Sequence, residues 1–185
     1  MDHINKVKIQ TEGTPNPNAL KFVLDKNILE NGSCNFPNKE KSEDSPLAKR
    51  LFNIPSVEEV FIGKNFITVS KKADSTWESI YDRLLEAINQ HFESGEPVVL
   101  KTESKKVTSS NEIEQRILEI LDNQIRPAVA SDGGDIIFDS YEDGVLRLHL
   151  QGSCSSCPSS VMTLKAGIEN MLKREIPELK EVISV

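Results

Sequence analysis

Two cysteines three positions apart, Cys154 and Cys157, lie in the stretch "LQGSCSSCPSS", and Pro158 follows the second directly. They are two of three cysteines in a chain of 185 residues. Thiols at this spacing serve three kinds of chemistry: they hold a metal ion or cluster, exchange with disulfides, or close a structural bridge. A CxxC loop can bring both sulfurs onto one metal or one face of a cluster, but it leaves a four-ligand site half filled. Pro158 suits the first position of a helix, where its missing N–H costs nothing. Cys157 then falls at or beside the N-cap, where the unpaired N–H groups favour a thiolate and lower its pKa. Gly152 and the serines around the thiols leave room for a bulky inorganic group and supply hydrogen-bond donors to its sulfur atoms.

Other residues compete for attention. His149 alternates with Leu148 and Leu150, so it takes the opposite face of a strand. A solvent-facing histidine is a better reading of it than a ligand. His3 and His91 stand apart from any other candidate ligand. Cys34, in the polar loop "ENGSCNFPNKEKSED", reads as an incidental thiol. Asp132-Gly133-Gly134-Asp135 is either a cation site or a turn whose glycines reach positive φ, and the turn is preferred. Thr14-Pro15-Asn16-Pro17-Asn18 is a stiff loop suited to recognition, or a turn that fixes strand geometry; the residues leave both open. Trp77 and its aliphatic neighbours read as core.

These residues need elements to position them. "KVKIQ" and "ALKFVLD" read as strands separated by the turn chemistry of "TEGTPNPN". Ser45 and Pro46 open a short helix, "PLAKRLFNI". "VEEVFIGKNFITVSKK" is a hairpin turning at Gly63-Lys64-Asn65. Ser75 or Thr76 caps a helix whose face carries Trp77, Ile80, Tyr81, Leu84, Leu85 and Ile88 and which ends at Gly95 and Pro97. "VVLKTESKKVTSS" has no sustained period and reads as a tether. Beyond it, Ile113, Ile117, Ile120 and Leu121 mark a helix ending near Arg126-Pro127. A hairpin follows around Glu142-Asp143-Gly144. Val161, Leu164, Ile168 and Met171 carry a further helical face, and "LKEVISV" closes as a strand. The expected fold class is α+β: two small α/β domains, ββαββα-like over residues 7–97 and αββαβ-like over 110–185, joined by a flexible linker over 98–109.

Composition narrows the function classes. Acidic residues outnumber basic ones, 29 to 22, for a net charge of −7, which argues against nucleic acid as a partner. No stretch approaches a membrane span. "MDHINKVKIQ" has neither an apolar h-region nor transit-peptide composition, so the expected location is a reducing cytosol. In that compartment a CxxC pair is metal-binding or redox-active more often than structural.

The second block offers more than spacing. "IRPAVASDGGDIIF", "LQGSCSSCPSSVMTLKAGIENML" and "IPELKEVISV" resemble, in that order, the NifU C-terminal domain of the Nfu family of iron–sulfur cluster carriers. "IQTEGTPNPNALKF", "SPLAKRLFNI" and "VFIGKNFITV" resemble the family's N-terminal domain, so the likeness covers almost the whole chain. Cys34 lies outside the family's motif. The resemblance implies a scaffold or carrier, not an enzyme. Cys154 and Cys157 would ligate a [4Fe–4S] cluster shared between two chains, as its need for four thiolates implies, and the homodimer would pass it to recipient apoproteins. A [2Fe–2S] form and zinc are the other occupants considered. Upstream cluster-assembly proteins are implied as donors, and the N-terminal domain is expected to recognise partners. Bacterial forms with this domain order lack a transit peptide, as this chain does, whereas mitochondrial forms carry one. A cytoplasmic location follows, or the mitochondrial matrix if this is a processed form. The alternative function is a thiol–disulfide oxidoreductase using the same CxxC. Against it stands the expectation that the strand before the pair closes an antiparallel hairpin, where a thioredoxin-like site wants a βαβ context.

Overall fold

The computed structural model describes residues 7–100, 111–155 and 158–185. The chain separates into two compact units, Met1–Ser104 and Lys105–Val185.

Among the described residues the first unit is a five-stranded sheet in the order β1-β2-β5-β4-β3 with two α-helices and a short 3-10 helix, Lys39–Ser42. β1 (Ile9–Gly13) and β2 (Ala19–Leu24) pair antiparallel across the proline-bearing turn. β4 (Val57–Ile62) and β5 (Phe66–Lys71) form the expected hairpin, and β2 pairs with β5. α1 (Pro46–Phe52) starts where Ser45 and Pro46 dictate. Ser45 Oγ accepts the Ala48 N–H at 3.0 Å and donates to the Val98 carbonyl at 2.7 Å. α2 (Trp77–Ser94) buries Ile80, Leu84 and Ile88 against Phe22, Leu47, Leu51, Val60, Ile67 and Val69.

Cys34 is not in a loop. It opens β3 (Cys34–Phe36), a three-residue edge strand paired with β4 and registered with Ile62. Phe36 anchors this strand in the core, and Cys34 is half-buried beside it. Burial pushes the Cys34 thiol pKa up, so it is a poorer thiolate than an exposed cysteine. The sequence around it is so polar that one buried phenylalanine is the whole apolar signal.

Of the expected tether, residues 101–109 lie outside the described residues. Residues 98–100 are held by the first unit. Val98 and Val99 pack against its core, and the Leu100 N–H donates to the Asp44 carbonyl at 2.7 Å.

The second unit is a three-stranded sheet, β6-β7-β8, packed against helices. α3 (Glu112–Ile120) does not end near Arg126 as expected. A five-residue π-helical segment, Leu121–Ile125, carries the chain into α4 (Arg126–Ser131), with the Arg126 N–H reaching back to the Leu121 carbonyl. Restarting at Arg126 places Pro127 in a first turn, where no N–H is missed. Leu121, Ile125 and Val129 stay in the core throughout. β6 (Gly134–Glu142) and β7 (Val145–Gly152) form a hairpin across a two-residue turn, with positive φ at Asp143 (52°) and Gly144 (85°). This is the type I′ geometry that matches strand twist. α5 (Pro158–Glu175) then crosses to β8 (Glu181–Ser184), which pairs parallel with β7. β7, α5 and β8 therefore make a β–α–β unit. The strand before the cysteines closes an antiparallel hairpin and also opens a parallel crossover, so the expectation set against a redox site loses its ground. The closing strand is legible in the sequence but its partner is not, because its direction is fixed by the crossover.

Candidate functional site

The cysteine pair lies between β7 and α5. β7 ends at Gly152, which pairs with Gly134 at the start of β6. Residues 153–155 then turn, with the Ser155 N–H and Oγ both donating to the Gly152 carbonyl, at 3.1 and 2.8 Å. α5 begins at Pro158 as its chemistry requires. Cys157 lies outside the described residues.

Cys154 is 3% exposed and belongs to the core of the second unit. Its neighbours come from the DGGD turn. The Ser153 N–H donates to the Gly133 carbonyl at 3.3 Å. Ser153 Oγ makes a short hydrogen bond to the Asp132 carbonyl and lies 3.7 Å from Cys154 Sγ. A methyl group at Gly134 would come within 3.1 Å of Cys154 Sγ and 2.5 Å of the Gln151 carbonyl oxygen. The absence of a side chain at Gly134 is therefore what lets the thiol sit there. The turn reading of 132–135 holds in part. Gly133 takes positive φ, 85°, while Gly134 is needed for close approach. The aspartates are not arranged for a cation: the Asp135 carboxylate accepts the Ile136 N–H at 2.7 Å and lies 3.5 Å from the Arg126 guanidinium.

Arg126 was not singled out from the sequence. Its guanidinium reaches Asp122 at 2.8 Å, and its Nε donates to the Ile136 carbonyl at 3.1 Å. Arg126 and Asp135 thus occupy the carbonyl and N–H of Ile136 on β6, an edge strand of its sheet. They blunt that edge against pairing with another chain and tie the DGGD turn to α4. The Asp122–Arg126 spacing of i, i+4 was a legible signal; the contact with Asp135 was not.

The remaining candidates have surroundings of their own. His149 is exposed on β7, with Nδ1 2.9 Å from the Val185 carbonyl and Nε2 3.3 Å from Asp139 Oδ1. It matches the solvent-facing reading. His91 is fully buried in the first unit, edge-on to Phe92, and its ring nitrogens make no hydrogen bond among the described residues. His3 lies outside those residues. Also among the described residues, no group of three or more His, Cys, Asp or Glu is placed to hold a metal ion, and no helix is long and apolar enough to cross a membrane.

The Thr14–Asn18 turn is held from within. Asn16 is buried, and its Oδ1 accepts the Asn18 N–H at 2.9 Å. Thr14 Oγ1 lies 2.9 Å from the Asn16 carbonyl and 3.0 Å from that of Ala19. The Trp77 indole N–H donates to the Pro17 carbonyl at 3.1 Å, and Lys71 Nζ reaches Asn18 Oδ1 at 2.8 Å. The half-buried Trp77 packs against the core, as expected, and also pins this loop. Pro15 and Pro17 remain exposed.

Residues 9–95 match the family described as "Scaffold protein Nfu/NifU N terminal", and residues 117–183 match "NifU-like domain". The human protein named "NFU1 iron-sulfur cluster scaffold homolog, mitochondrial" is 46% identical over 181 residues, covering 96% of this chain and 71% of that protein. A Drosophila persimilis protein of the same name is 44% identical, covering 96% of this chain and 64% of its own length, so the chain spans less than two-thirds of that relative. A solved NifU-like protein from Saccharomyces cerevisiae aligns with 55% of this chain and 92% of its own, at 29% identity and a TM-score of 0.49.

Proposed function

The chain belongs to the Nfu/NifU family of iron–sulfur cluster scaffold proteins, and from that premise we propose that it takes up a [4Fe–4S] cluster between two copies of itself and delivers it to recipient apoproteins. The cluster is cargo. Cys154 and Cys157 of each copy supply its four thiolates. The observation that carries this reading is a CxxC at a strand-to-helix junction in a unit whose described residues offer no further ligand cluster. Two copies complete what one leaves half filled. A cargo held by a pair from each side can also be released one pair at a time to a recipient's thiols.

Cys154 is inside the fold and against Gly134 in the conformation described. Loading therefore requires the 153–155 turn to swing its sulfur outward. Between loadings the burial protects the thiol from air and from stray metals. The first unit, with its rigid Thr14–Asn18 turn and exposed prolines, recognises recipients and raises the local concentration of cargo near them. The relatives' names place them in mitochondria. This weakens the cytoplasmic expectation and favours the mitochondrial one.

Anaerobic reconstitution of the full chain should give about four irons per dimer, with Cys154→Ser or Cys157→Ser abolishing uptake and Cys34→Ser leaving it intact. Retention of cluster by either of the first two variants would overturn the ligand assignment. The β–α–β setting of the pair favours one second reading, thiol–disulfide exchange. Catalytic reduction of a protein disulfide by the iron-free chain, turned over by an added small dithiol as reductant and at a rate lost in the same variants, would establish it.

A further inference from the structure

Resting on the cluster-sharing reading above, we propose that the outward face of α5, formed by Met162, Thr163, Ala166, Gly167 and Asn170, is the surface on which the second copy of this chain docks.

The first argument is charge. The chain is 28% charged, yet of the 17 residues from Gly152 to Ile168 one is charged, Lys165. Lys165 turns aside to within 3.8 Å of Glu181. The next charge along the helix, Glu169, is taken up by Lys173 at 2.5 Å and by the Val182 N–H at 3.2 Å. Those two contacts hold its carboxyl below the usual range. From Met162 to Asn170 this face is therefore neutral over more than two turns. Two copies each carrying a net charge of −7 repel over most approaches. At a two-fold axis each patch meets itself, so any uncompensated charge there meets its like. A neutral face is what self-association needs, whereas a partner of opposite charge would be served better by a charged one.

The second argument is exposure. Ile168 and Leu172 point into the core, and Met162 on the other side is 74% exposed. Four large hydrophobic residues are exposed among those described, Leu100, Met162, Met171 and Val185, and two of them are on α5. Methionine is enriched, and charge depleted, at the centre of protein interfaces. Ala166 and Gly167 beside Met162 are exposed, and a methyl group built on Gly167 would meet nothing, so a facing helix can approach closely.

The third is position and size. Met162 is one helical turn beyond Pro158, about 6 Å along the axis, so the face begins near the end of α5 that follows the CxxC in the chain. A strip this short covers far less than the ~800 Å² per partner of a stable interface. It aligns two copies without holding them, and the four iron–thiolate bonds of the shared cargo supply the rest. The iron-free chain is then a monomer and the loaded chain a dimer.

The test uses two variants of the full chain, Met162→Glu/Ala166→Glu and Met162→Lys/Ala166→Lys, both at exposed helix positions, with thermal unfolding as the check on folding. Each is reconstituted anaerobically with iron and sulfide, alone and as an equimolar mixture, and its iron content and sedimentation mass are measured. Each variant alone should lose loaded dimer at least tenfold relative to the parent, and the mixture should recover it, because opposite charges then face each other. Parent-like loading and dimerisation by each variant alone would overturn the proposal. So would normal loading with slowed transfer, which would assign the face to recipients, and so would loss that mixing does not restore. Failure of the parent chain itself to load would instead sink the cluster-sharing reading.

Discussion

Replacing Gly134 with alanine probes the packing beneath the candidate site. A Cβ at this position would lie 2.5 Å from the Gln151 carbonyl oxygen and 3.1 Å from Cys154 Sγ. The first distance is far inside contact, and the obstruction is backbone held in the β6–β7 ladder, which cannot rotate aside. Either the strand ends splay or the turn carrying Cys154 moves. Overpacking of this kind costs about 1–3 kcal/mol. For a unit of this size that is a fall in Tm of roughly 4–24 °C, at about 4–8 °C per kcal/mol. Gly167→Ala is the matched control: its Cβ meets nothing within a long helix, so alanine should stabilise α5 by about 1 kcal/mol. Calorimetry of the full chain should show the second unit's transition falling for Gly134→Ala and rising for Gly167→Ala. Because the added methyl crowds Sγ out of the buried position it must leave on loading, iron uptake at reconstitution should not drop for Gly134→Ala. If Gly134→Ala unfolds at the parent temperature, the close packing of Cys154 against β6 does not hold the unit together, and weaker iron uptake by this variant would refute the outward swing.

Ser45→Ala removes both the N-cap of α1 and the bond to the Val98 carbonyl. It should destabilise the first unit by about 1–3 kcal/mol, read as a lowered urea midpoint by circular dichroism; an unchanged midpoint would contradict the double role of this hydroxyl. The imidazole of His91 is held below its ordinary pKa by burial and by Arg50 and Lys26, with Glu96 opposing. The unfolded chain therefore binds a proton there that the folded chain refuses. The stability from this residue is complete above about pH 6.5 and declines as pH falls from that value towards the lowered folded pKa. His91→Leu should flatten the dependence of the first unit's urea midpoint between pH 7.5 and 5.5, and an equal slope in both proteins would refute this. A fragment beginning at residue 110 should load cluster much as the full chain does but transfer it more slowly to a recipient that the first unit recognises. A fragment that cannot hold cluster, or that transfers equally fast to every recipient tested, would refute the division of labour.

Much of this architecture is legible in the sequence because local chemistry and the global fold agree. Ser45-Pro46 opens α1, Pro158 opens α5, and the Glu142–Gly144 stretch turns the β6–β7 hairpin. What escaped is tertiary in origin. β3 exists because the edge of β4 accepts a short partner pinned by Phe36. The helix past Pro127 continues because a π-helical segment realigns it. The parallel pairing of β8 with β7 is decided by a crossover that no local pattern reports. At the candidate site, the cysteine spacing was the visible part. That Gly134 makes room for Cys154, and that Arg126 ties down the turn beside it, follows from strand register and could not be read from spacing.

Two copies are proposed to share one [4Fe–4S] cluster through Cys154 and Cys157. The most direct measurement is a Mössbauer spectrum of the chain loaded anaerobically with iron-57, taken with its sedimentation mass. The expected result is the signature of a [4Fe–4S] cluster in a particle of two chains, lost with Cys154→Ser. A spectrum of mononuclear iron, or a cluster carried by a single chain, would contradict it.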